Sequence, residues 1–213
     1  MALLNDEIVN NVKQMLSDLP QAVKLVVFTT AQCDYCKEIV QLAQEVAATS
    51  DKITVELYKL ESDTAPAKQY NITMAPVIVI AGAKDYGIRY YGIPSGHEFQ
   101  TLLHGIRKAS FGQPEELATY DQTYLANLDQ PVNIQVFVTP TCPYCPPAAI
   151  RAYDMAIASD KVVAEVIESM EFQELAMQFN VMGVPLNVIN GKERLEGAAP
   201  PAMVIDKIRA ALA

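Results

Sequence analysis

The sequence predicts an α/β protein built from two tandem units, each a mixed central β-sheet flanked by helices. Three observations predict this fold class. The 213 residues divide by an internal offset of 109 residues, which is close to the usual size of one domain. Helical and extended periodicities follow one another in the same order in both halves. Hydrophobic residues make up 51% of the chain and charged residues 19%, which is enough apolar material for a core in each unit.

When the two halves are aligned at this offset of 109 residues, identical residues coincide without any gap. The matching pairs are Cys33 and Cys142, Cys36 and Cys145, Phe28 and Phe137, Glu56 and Glu165, Asn71 and Asn180, Pro76 and Pro185, and Gly82 and Gly191. This register indicates an internal duplication. Because the Ser-Phe-Gly-Gln-Pro segment at residues 110–114 interrupts the helical pattern, we place the two units at residues 1–113 and 114–213.

The elements of the first unit are predicted as helix, strand, helix, strand, helix, strand, strand, helix. A polar start at Asn5-Asp6 precedes apolar residues at helical spacing, which continue to Leu19. The remaining elements are a buried strand at 23–28, a helix with its apolar stripe at 39–47, an alternating strand at 53–58, a short helix near 63–70, a hairpin of 77–80 and 87–91, and a closing helix around 99–106.

The second unit repeats this order. It begins with a helix around residues 117–128, and its hairpin turns at Asn190-Gly191, which is a strong turn signal. Pro200-Pro201 stands where prolines are tolerated at a helix start. The elements between are a strand at 134–138, a helix through 150 and 155, a strand at 162–167 and a helix at 172–179.

Charge and composition narrow the class of partner. The formal net charge is −9 and the 16 basic residues are scattered, so we expect no nucleic-acid partner. No stretch approaches the roughly 20 uninterrupted apolar residues of a membrane span, so we expect no membrane partner. The first residues do not read as a secretion signal, and we predict a cytoplasmic location. Cysteines in Cys-x-x-Cys pairs, in a chain without a recognisable secretion signal, are typical of redox or metal chemistry.

The four cysteines form two Cys-x-x-Cys pairs, each at the start of a predicted helix. Unpaired N–H groups and the positive end of the helix dipole lower a thiol pKa and favour the reactive thiolate. We therefore predict Cys33 and Cys142 as the exposed attacking sulfurs. A second thiol one turn away must release the mixed disulfide, and Cys36 and Cys145 fill that role.

Two other interpretations of the cysteines stay open. The pairs can be structural disulfides, although closing a four-residue loop removes little chain entropy. They can also form one tetrahedral Cys₄ zinc site in a non-enzymatic or scaffold protein, although structural zinc pairs usually lie tens of residues apart rather than 109. We predict no metal and no cofactor.

The order of motifs resembles a known fold and family. A strand, a Cys-x-x-Cys that opens a helix, and an x-Pro 43 residues after the first cysteine and before a hairpin are similar to the thioredoxin fold. Two such units, one carrying Cys-Pro-Tyr-Cys, resemble the glutaredoxin-like protein disulfide oxidoreductases of thermophiles. The further matching segments are Val138-Thr139-Pro140-Thr141, Arg89-Tyr90-Tyr91-Gly92, Gly96-His97-Glu98-Phe99, and Asn180-Val181-Met182-Gly183-Val184-Pro185.

The resemblance implies an activity and partners. It implies reduction, oxidation and isomerisation of disulfides in protein substrates, with electrons from a thioredoxin-reductase-like flavoenzyme. It also implies cis peptide bonds before Pro76 and Pro185. There the backbone of Ala75 and Val184 would be free to pair with an extended substrate. The runner-up is an electron-relay module, similar to the tandem domain of flavin-dependent peroxide reductases, in which one unit has usually lost its cysteines.

The residues between the cysteines predict that the two centres differ. Asp34 places a negative charge beside Cys33 and opposes its ionisation, whereas Pro143 does not. We therefore predict that the second centre has the more acidic nucleophile and the more oxidising couple. Tyr35 and Tyr144 are expected to shape the surface beside the sulfurs.

Glu56 and Glu165 occupy matching strand positions, and we consider them as proton acceptors for the resolving thiols. Thioredoxins carry a buried acid six residues before the first cysteine, but this chain has Val27 and Val136 there. A solvated or salt-bridged glutamate is the alternative for both positions.

Overall fold

The structure is a computed structural model that describes residues 2–213, and the predicted order of elements is confirmed in both units. The first unit contains α1 (Asp6–Met15), β1 (Val23–Thr29), α2 (Cys36–Ala47), β2 (Ile53–Lys59), α3 (Thr64–Gln69), β3 (Val77–Ala81), β4 (Ile88–Tyr91) and α4 (Glu98–Phe111). The second contains α5 (Thr119–Ala126), β5 (Val132–Val138), α6 (Cys145–Ala158), β6 (Val162–Glu168), α7 (Gln173–Gln178), β7 (Leu186–Ile189), β8 (Glu193–Glu196) and α8 (Pro201–Leu212). Within the described residues, no helix is both long and apolar enough to cross a membrane.

Two helix ends differ from the sequence prediction. Asn5 caps α1 as expected, since its side chain accepts a hydrogen bond from the Ile8 N–H at 2.9 Å, but the helix ends at Met15. Leu19 therefore lies beyond α1 and is buried in the core from the following loop. The helix α4 runs through the first two residues of the predicted 110–114 interruption and stops at Gly112, which adopts the left-handed conformation with φ 64°.

The strands form one eight-stranded sheet in the order β2-β1-β3-β4-β6-β5-β7-β8. Each unit supplies four of these strands as a mixed sheet: β1 pairs with β2 in parallel and with β3 antiparallel, and β5 pairs in the same way with β6 and β7. The hairpins β3–β4 and β7–β8 complete the two halves. The duplicated sequence therefore gives two copies of the same strand order.

The two halves join through a parallel pairing of β4 with β6, which the sequence did not predict. Two central sheets were expected, and the structure makes them continuous. At this seam the N–H of Ala164 donates to the carbonyl of Gly87 at 2.9 Å. Gly87 has φ +83°, and a Cβ there would lie 2.6 Å from the Val162 carbonyl oxygen, so a larger residue would push the strands apart.

Helices cover both faces of this sheet and bury two apolar clusters. The larger cluster lies against α1, α2, α4, α5, α6 and α8 and contains residues of both units. The smaller cluster lies on the other face, beneath α3 and α7. Because strand side chains alternate between faces, each strand residue belongs to one helix layer only.

The helices α4 and α6 pack together across the unit boundary and run in the same direction. Near their starts, the His97 N–H donates to the Pro140 carbonyl at 2.9 Å. Near their ends, the Lys108 ammonium lies 2.7 Å from the Asp154 carboxylate, with both side chains buried. These two contacts place the first turn of α4 beside the loop that leads into α6.

Candidate functional site

The structure joins the four cysteines as two separate disulfides, Cys33 with Cys36 and Cys142 with Cys145. The Cα atoms of the two pairs are 5.4 and 5.5 Å apart. Each pair follows the end of a central strand, β1 or β5, and its second cysteine is the first residue of a helix. Among residues 2–213, the structure brings no three His, Cys, Asp or Glu side chains together as metal ligands, so the Cys₄ zinc alternative has no shared site.

Both helix starts can stabilise a thiolate. The residues that precede α2 and α6, Tyr35 and Tyr144, make no side-chain hydrogen bond to the first turn. The positive end of the helix dipole therefore faces the sulfurs at both centres, and at α2 the N–H groups of the first turn add to it. At α6 the Cys145 N–H donates to the Cys142 carbonyl at 3.4 Å. This is the environment in which a reduced cysteine becomes a nucleophile.

The second helix start differs by two prolines. Pro146 and Pro147 directly follow Cys145, and α6 nevertheless runs without interruption from Cys145 to Ala158. Prolines fit the first turn, where their missing N–H has no intrahelical partner in any case. They do remove two donors from the positive end of α6, which acts against the predicted acidity of Cys142.

The two centres differ in exposure. At the first centre Cys33 and Cys36 are both half-buried, and only Cys33 lines the adjacent groove. At the second centre Cys142 retains 9% of its surface and Cys145 is fully buried. Cys33 thus reaches the groove at the first centre and Cys142 is the more accessible cysteine at the second, although Cys142 is less exposed than the sequence suggested.

A groove lies beside each centre, and α7 borders both. The groove at Cys33 has a volume of about 1200 Å³ and also includes Ala75 and Pro76. A smaller groove of about 610 Å³ lies beside Val184. Gln173, the first residue of α7, lines both grooves.

The proline loops lie next to the sulfurs. The Ala75–Pro76 and Val184–Pro185 peptide bonds are both cis. The Cys142 sulfur lies 3.7 Å from the carbonyl oxygen of Val184. Ala75 shares the groove with Cys33. The structure therefore brings both predicted substrate-binding loops to their cysteine pairs.

The residues between the cysteines lie at the surface. Asp34, Tyr35, Pro143 and Tyr144 are all exposed, the two tyrosine side chains by 46% and 69%. Asp34 and Tyr35 line the first groove. Their roles in tuning the two centres stay a prediction, which redox titration tests.

The structure does not bring Glu56 or Glu165 to the sulfurs. Both glutamates lie on the sheet face beneath α3 and α7, because Glu56 pairs with Val26 of the smaller cluster and Glu165 pairs with Gln135, two residues before Phe137 of the same cluster. The cysteine-bearing helices α2 and α6 pack on the opposite face. Neither glutamate is therefore placed to accept a proton from a resolving thiol.

The polar partners of Glu56 and Glu165 are residues of the sheet and not the cysteines. The ammonium of Lys24 is 2.8 Å from the carboxylate of Glu56 and lowers its pKa, which makes this carboxylate a weaker base. The carboxylate of Glu165 accepts hydrogen bonds from Tyr91 at 3.2 Å and Asn133 at 3.0 Å. Glu56 thus matches the salt-bridged alternative.

The structure reveals another acid, Glu98, which the sequence analysis names only as part of a segment that matches the family and not as a proton acceptor. Glu98 is the first residue of α4, is fully buried, and lies in the turn beside the loop that leads into α6. Neither carboxyl oxygen has a hydrogen-bond partner among the described residues. Burial raises the pKa of Glu98 to about 7; nearby Thr101 opposes the shift in part, and the charge of Glu168 adds to it. An acid at a helix start is an ordinary dipole partner, so nothing in the sequence marked this one as buried.

Glu98 gives the protein a predicted pH dependence of stability. Since its pKa is about 7 in the folded state against an ordinary value of 4.5, the folded chain holds a proton that the unfolded chain has released between these values. Stability therefore falls as the pH rises from about 4.5 through 7. Between about pH 5 and pH 8, the free energy of unfolding should therefore fall more in the wild type than in Glu98→Gln. We expect the difference to be about 2 to 3 kcal/mol.

Urea unfolding at both pH values measures this difference. The matched control is Glu7→Gln, at the exposed start of α1, which should keep the wild-type pH dependence. An equal loss of stability in Glu98→Gln and wild type would show that Glu98 is not the titrating group.

Comparison with known proteins identifies the family. A family model described as "Thioredoxin domain" matches residues 22–104 and again residues 132–210, which together make up most of the chain. The predicted boundary between residues 113 and 114 falls in the unmatched stretch and stays a prediction. The alkyl hydroperoxide reductase component AhpF of Escherichia coli (strain K12) is 25% identical over 206 residues. This match covers 97% of this chain but only 37% of that protein.

Two solved structures show the same fold over nearly the whole chain. The corresponding AhpF protein from Enterococcus faecalis, as its C503A mutant, has a TM-score of 0.88 and 27% identity and covers 96% of this chain and 99% of that chain. A protein disulfide oxidoreductase from Aeropyrum pernix K1 has a TM-score of 0.89 and 24% identity and covers 97% of this chain and 93% of that chain. The second likeness shows the fold alone.

The two matched segments of the family model each contain one cysteine pair at a helix start and the proline loop beside it. The chain therefore belongs to the thioredoxin domain family and is a thiol–disulfide oxidoreductase of tandem thioredoxin fold, with one Cys-x-x-Cys centre in each unit.

Proposed function

We propose that the chain catalyses dithiol–disulfide exchange in protein substrates. The observation that carries this proposal is the groove of about 1200 Å³ at Cys33, with Ala75 and Pro76 in its lining. Pockets for small molecules have volumes of about 300 to 1,000 Å³, so this groove has room for a polypeptide segment. The same centre in reverse oxidises a protein dithiol, and both directions together allow isomerisation.

The exchange proceeds in two balanced steps. The thiolate of Cys33 attacks one sulfur of the substrate disulfide, forms a mixed disulfide and releases the other substrate sulfur as a thiolate. The thiol of Cys36 then loses its proton and attacks Cys33, which releases the second substrate thiolate and leaves the Cys33–Cys36 disulfide. Cys142 and Cys145 perform the same steps at the second centre. A thioredoxin-reductase-like flavoenzyme is the proposed reductant.

Glu98 is the proposed proton acceptor at the second centre. Cys145 is fully buried, so its thiol needs a nearby group to take its proton. The His97 N–H donates to the Pro140 carbonyl at 2.9 Å and brings the first turn of α4, which begins with Glu98, to the loop before α6. A pKa of about 7 is suited to accepting and releasing a proton near neutral pH. Cys36 is only half-buried, so its thiol can release its proton to water.

Insulin reduction by dithiothreitol tests the proposed function. We expect the wild-type chain to accelerate precipitation of the insulin chains, because it catalyses the exchange. A chain with all four cysteines replaced by serine is the control and should give the uncatalysed rate. No acceleration by the wild-type chain would reject the proposal.

A second candidate function is supported by the comparisons. The chain spans about 37% of the Escherichia coli relative, which is named as part of an alkyl hydroperoxide reductase. Such a chain can relay electrons from a flavoenzyme to a peroxidase instead of acting on many proteins. A coupled assay separates the two functions: a thioredoxin-reductase-type flavoenzyme reduces the chain, and either insulin or a thiol peroxidase accepts the electrons. Preference for the peroxidase would favour the relay.

A further inference from the structure

We propose that the groove beside Cys33 selects extended polypeptide segments whose disulfide is flanked by basic residues, and that α7 of the second unit provides this selectivity. The inference rests on the proposed function and adds a substrate class to one of its two centres.

The groove is built by both units. The first unit contributes the Cys33 loop and the Ala75–Pro76 loop, and the second contributes the residues before and within α7, from Met170 to Gln178. This arrangement follows from the parallel pairing of β4 with β6, which places the end of β6 beside the first centre. A single unit would therefore lack one wall of the groove.

The charge of the lining has one sign. Asp34, Glu171 and Glu174 are its charged residues, and the lining as described includes no Lys, Arg or His. No salt bridge involves these three carboxylates in the part of the chain that the structure describes. Burial raises the pKa of Glu171, and its carboxylate accepts a hydrogen bond from the Ile93 N–H at 2.7 Å. The exposed Asp34 and Glu174 thus supply the charge that a substrate meets first.

The apolar part of the lining fits an extended chain. Met74 of the first unit and Met170, Phe172 and Leu175 of the second unit all line the groove. The side chain of Met170 is 66% exposed, and flexible methionine side chains adapt to differing partners. The groove therefore favours a segment with apolar side chains and positive charges next to the disulfide. Glutathione disulfide, which carries several carboxylates, is disfavoured by the same charge.

The second centre provides an internal comparison. Its groove of about 610 Å³ is also bordered by α7, but the described residues that line it include no charged side chain. Met177 and Met182 contribute apolar surface there. The two faces of α7 thus differ in charge, and the basic preference is expected at the first centre only.

The experiment uses two peptides that differ only in having lysines or glutamates on either side of one disulfide. A chain with Cys142→Ser and Cys145→Ser reports the first centre, and a chain with Cys33→Ser and Cys36→Ser reports the second. With dithiothreitol as reductant, the first-centre chain should reduce the lysine peptide at least about 10-fold faster, the lower end of electrostatic steering. The second-centre chain should show no preference.

Reversing the charge of Glu174 and raising the salt concentration test whether the acidic groove causes the preference for the lysine peptide. In the first-centre chain, Glu174→Lys should remove most of the preference, and Glu174→Gln should reduce it by less. The matched control is Asp51→Lys, which changes the net charge equally but lies at the opposite end of the parallel β1–β2 pair. It should keep the preference. Raising the salt concentration should weaken the preference in the first-centre chain itself, so the test does not depend on any variant folding.

The outcomes distinguish a failure of the proposed basic selectivity from a failure of the proposed dithiol–disulfide exchange. Equal rates for both peptides at the first centre, or a preference that Glu174→Lys and salt leave unchanged, would overturn the inference while leaving dithiol exchange intact. Failure of every chain to reduce either peptide would instead reject the proposed function. A preference for the glutamate peptide or for glutathione disulfide would also overturn the inference.

Discussion

Replacing Cys36 and Cys145 by serine is expected to stop the reaction at the mixed disulfide. Cys33 lines the groove and Cys142 keeps a small exposed surface, so both first cysteines can still attack a substrate disulfide. No second thiol remains to release the substrate. The reduced variant should accumulate a covalent adduct with the substrate. In the dithiothreitol assay its turnover should fall well below that of the wild type, because only the external dithiol can then release the substrate.

Mass spectrometry of the variant, mixed with a peptide disulfide and no other reductant, measures this adduct. The matched control carries Cys33→Ser and Cys142→Ser, which leaves only the less accessible sulfurs. It should form little adduct. If the control formed the adduct and the first variant did not, the assignment of attacking and resolving cysteines would be reversed.

Replacing Lys108 by methionine is expected to lower the free energy of unfolding by about 3 to 5 kcal/mol. The Lys108 ammonium lies 2.7 Å from the carboxylate of Asp154, and the two side chains are 1% and 0% exposed. Removing the ammonium leaves a buried carboxylate without its counter-ion. The backbone N–H of Glu115, at 3.1 Å, is the remaining donor to the same oxygen. Since this pair links α4 to α6, the loss weakens the contact between the units.

Urea unfolding of a double-mutant cycle measures the effect. Lys108→Met combined with Asp154→Leu removes both charges, and it should regain most of the lost stability because apolar pairs often replace buried ion pairs at little cost. A loss below about 1 kcal/mol in Lys108→Met, the range of exposed ion pairs, would show that the pair is not buried in solution.

The elements and the cysteine pairs could be predicted because their signals are local. The helices and strands follow from residue periodicity, and the duplicated Cys-x-x-Cys places each dithiol at a helix start. The helix ends at Met15 and Phe111 were less well defined, because tertiary contacts decide where the last turn stops. One such contact is the 2.6 Å hydrogen bond from Ser110 to the carbonyl of Gln21.

The joining of the two sheets could not be predicted in the same way. Pairing between β4 and β6 joins residues about 75 positions apart in sequence. The residues of neither strand specify which other strand it pairs with. All four residues of Ile88–Tyr91 are buried in the structure because β4 lies inside the joined sheet and not at an edge. The shared wall at α7 follows from this pairing and was missed for the same reason.

The surroundings of the acidic residues Glu165 and Glu98 could not be predicted from the sequence pattern. Alternation along β6 places Glu165 on the face of Val163 and Ile167, but it does not tell which helices cover that face. The covering helices are α3 and α7, on the sheet face opposite the cysteine-bearing helices α2 and α6. Glu98 was missed because burial of a helix start depends on the neighbouring unit.

Redox titration of each centre, in chains that retain only one cysteine pair, tests whether both pairs are exchange centres. Alkylation and mass analysis count the free thiols at each potential. We expect each pair to reduce in one two-electron step within the range of dithiol oxidoreductases, about −120 to −270 mV, with the Cys142–Cys145 couple the more oxidising. A pair that stays oxidised in the folded chain below about −300 mV would be a structural disulfide and would contradict this role.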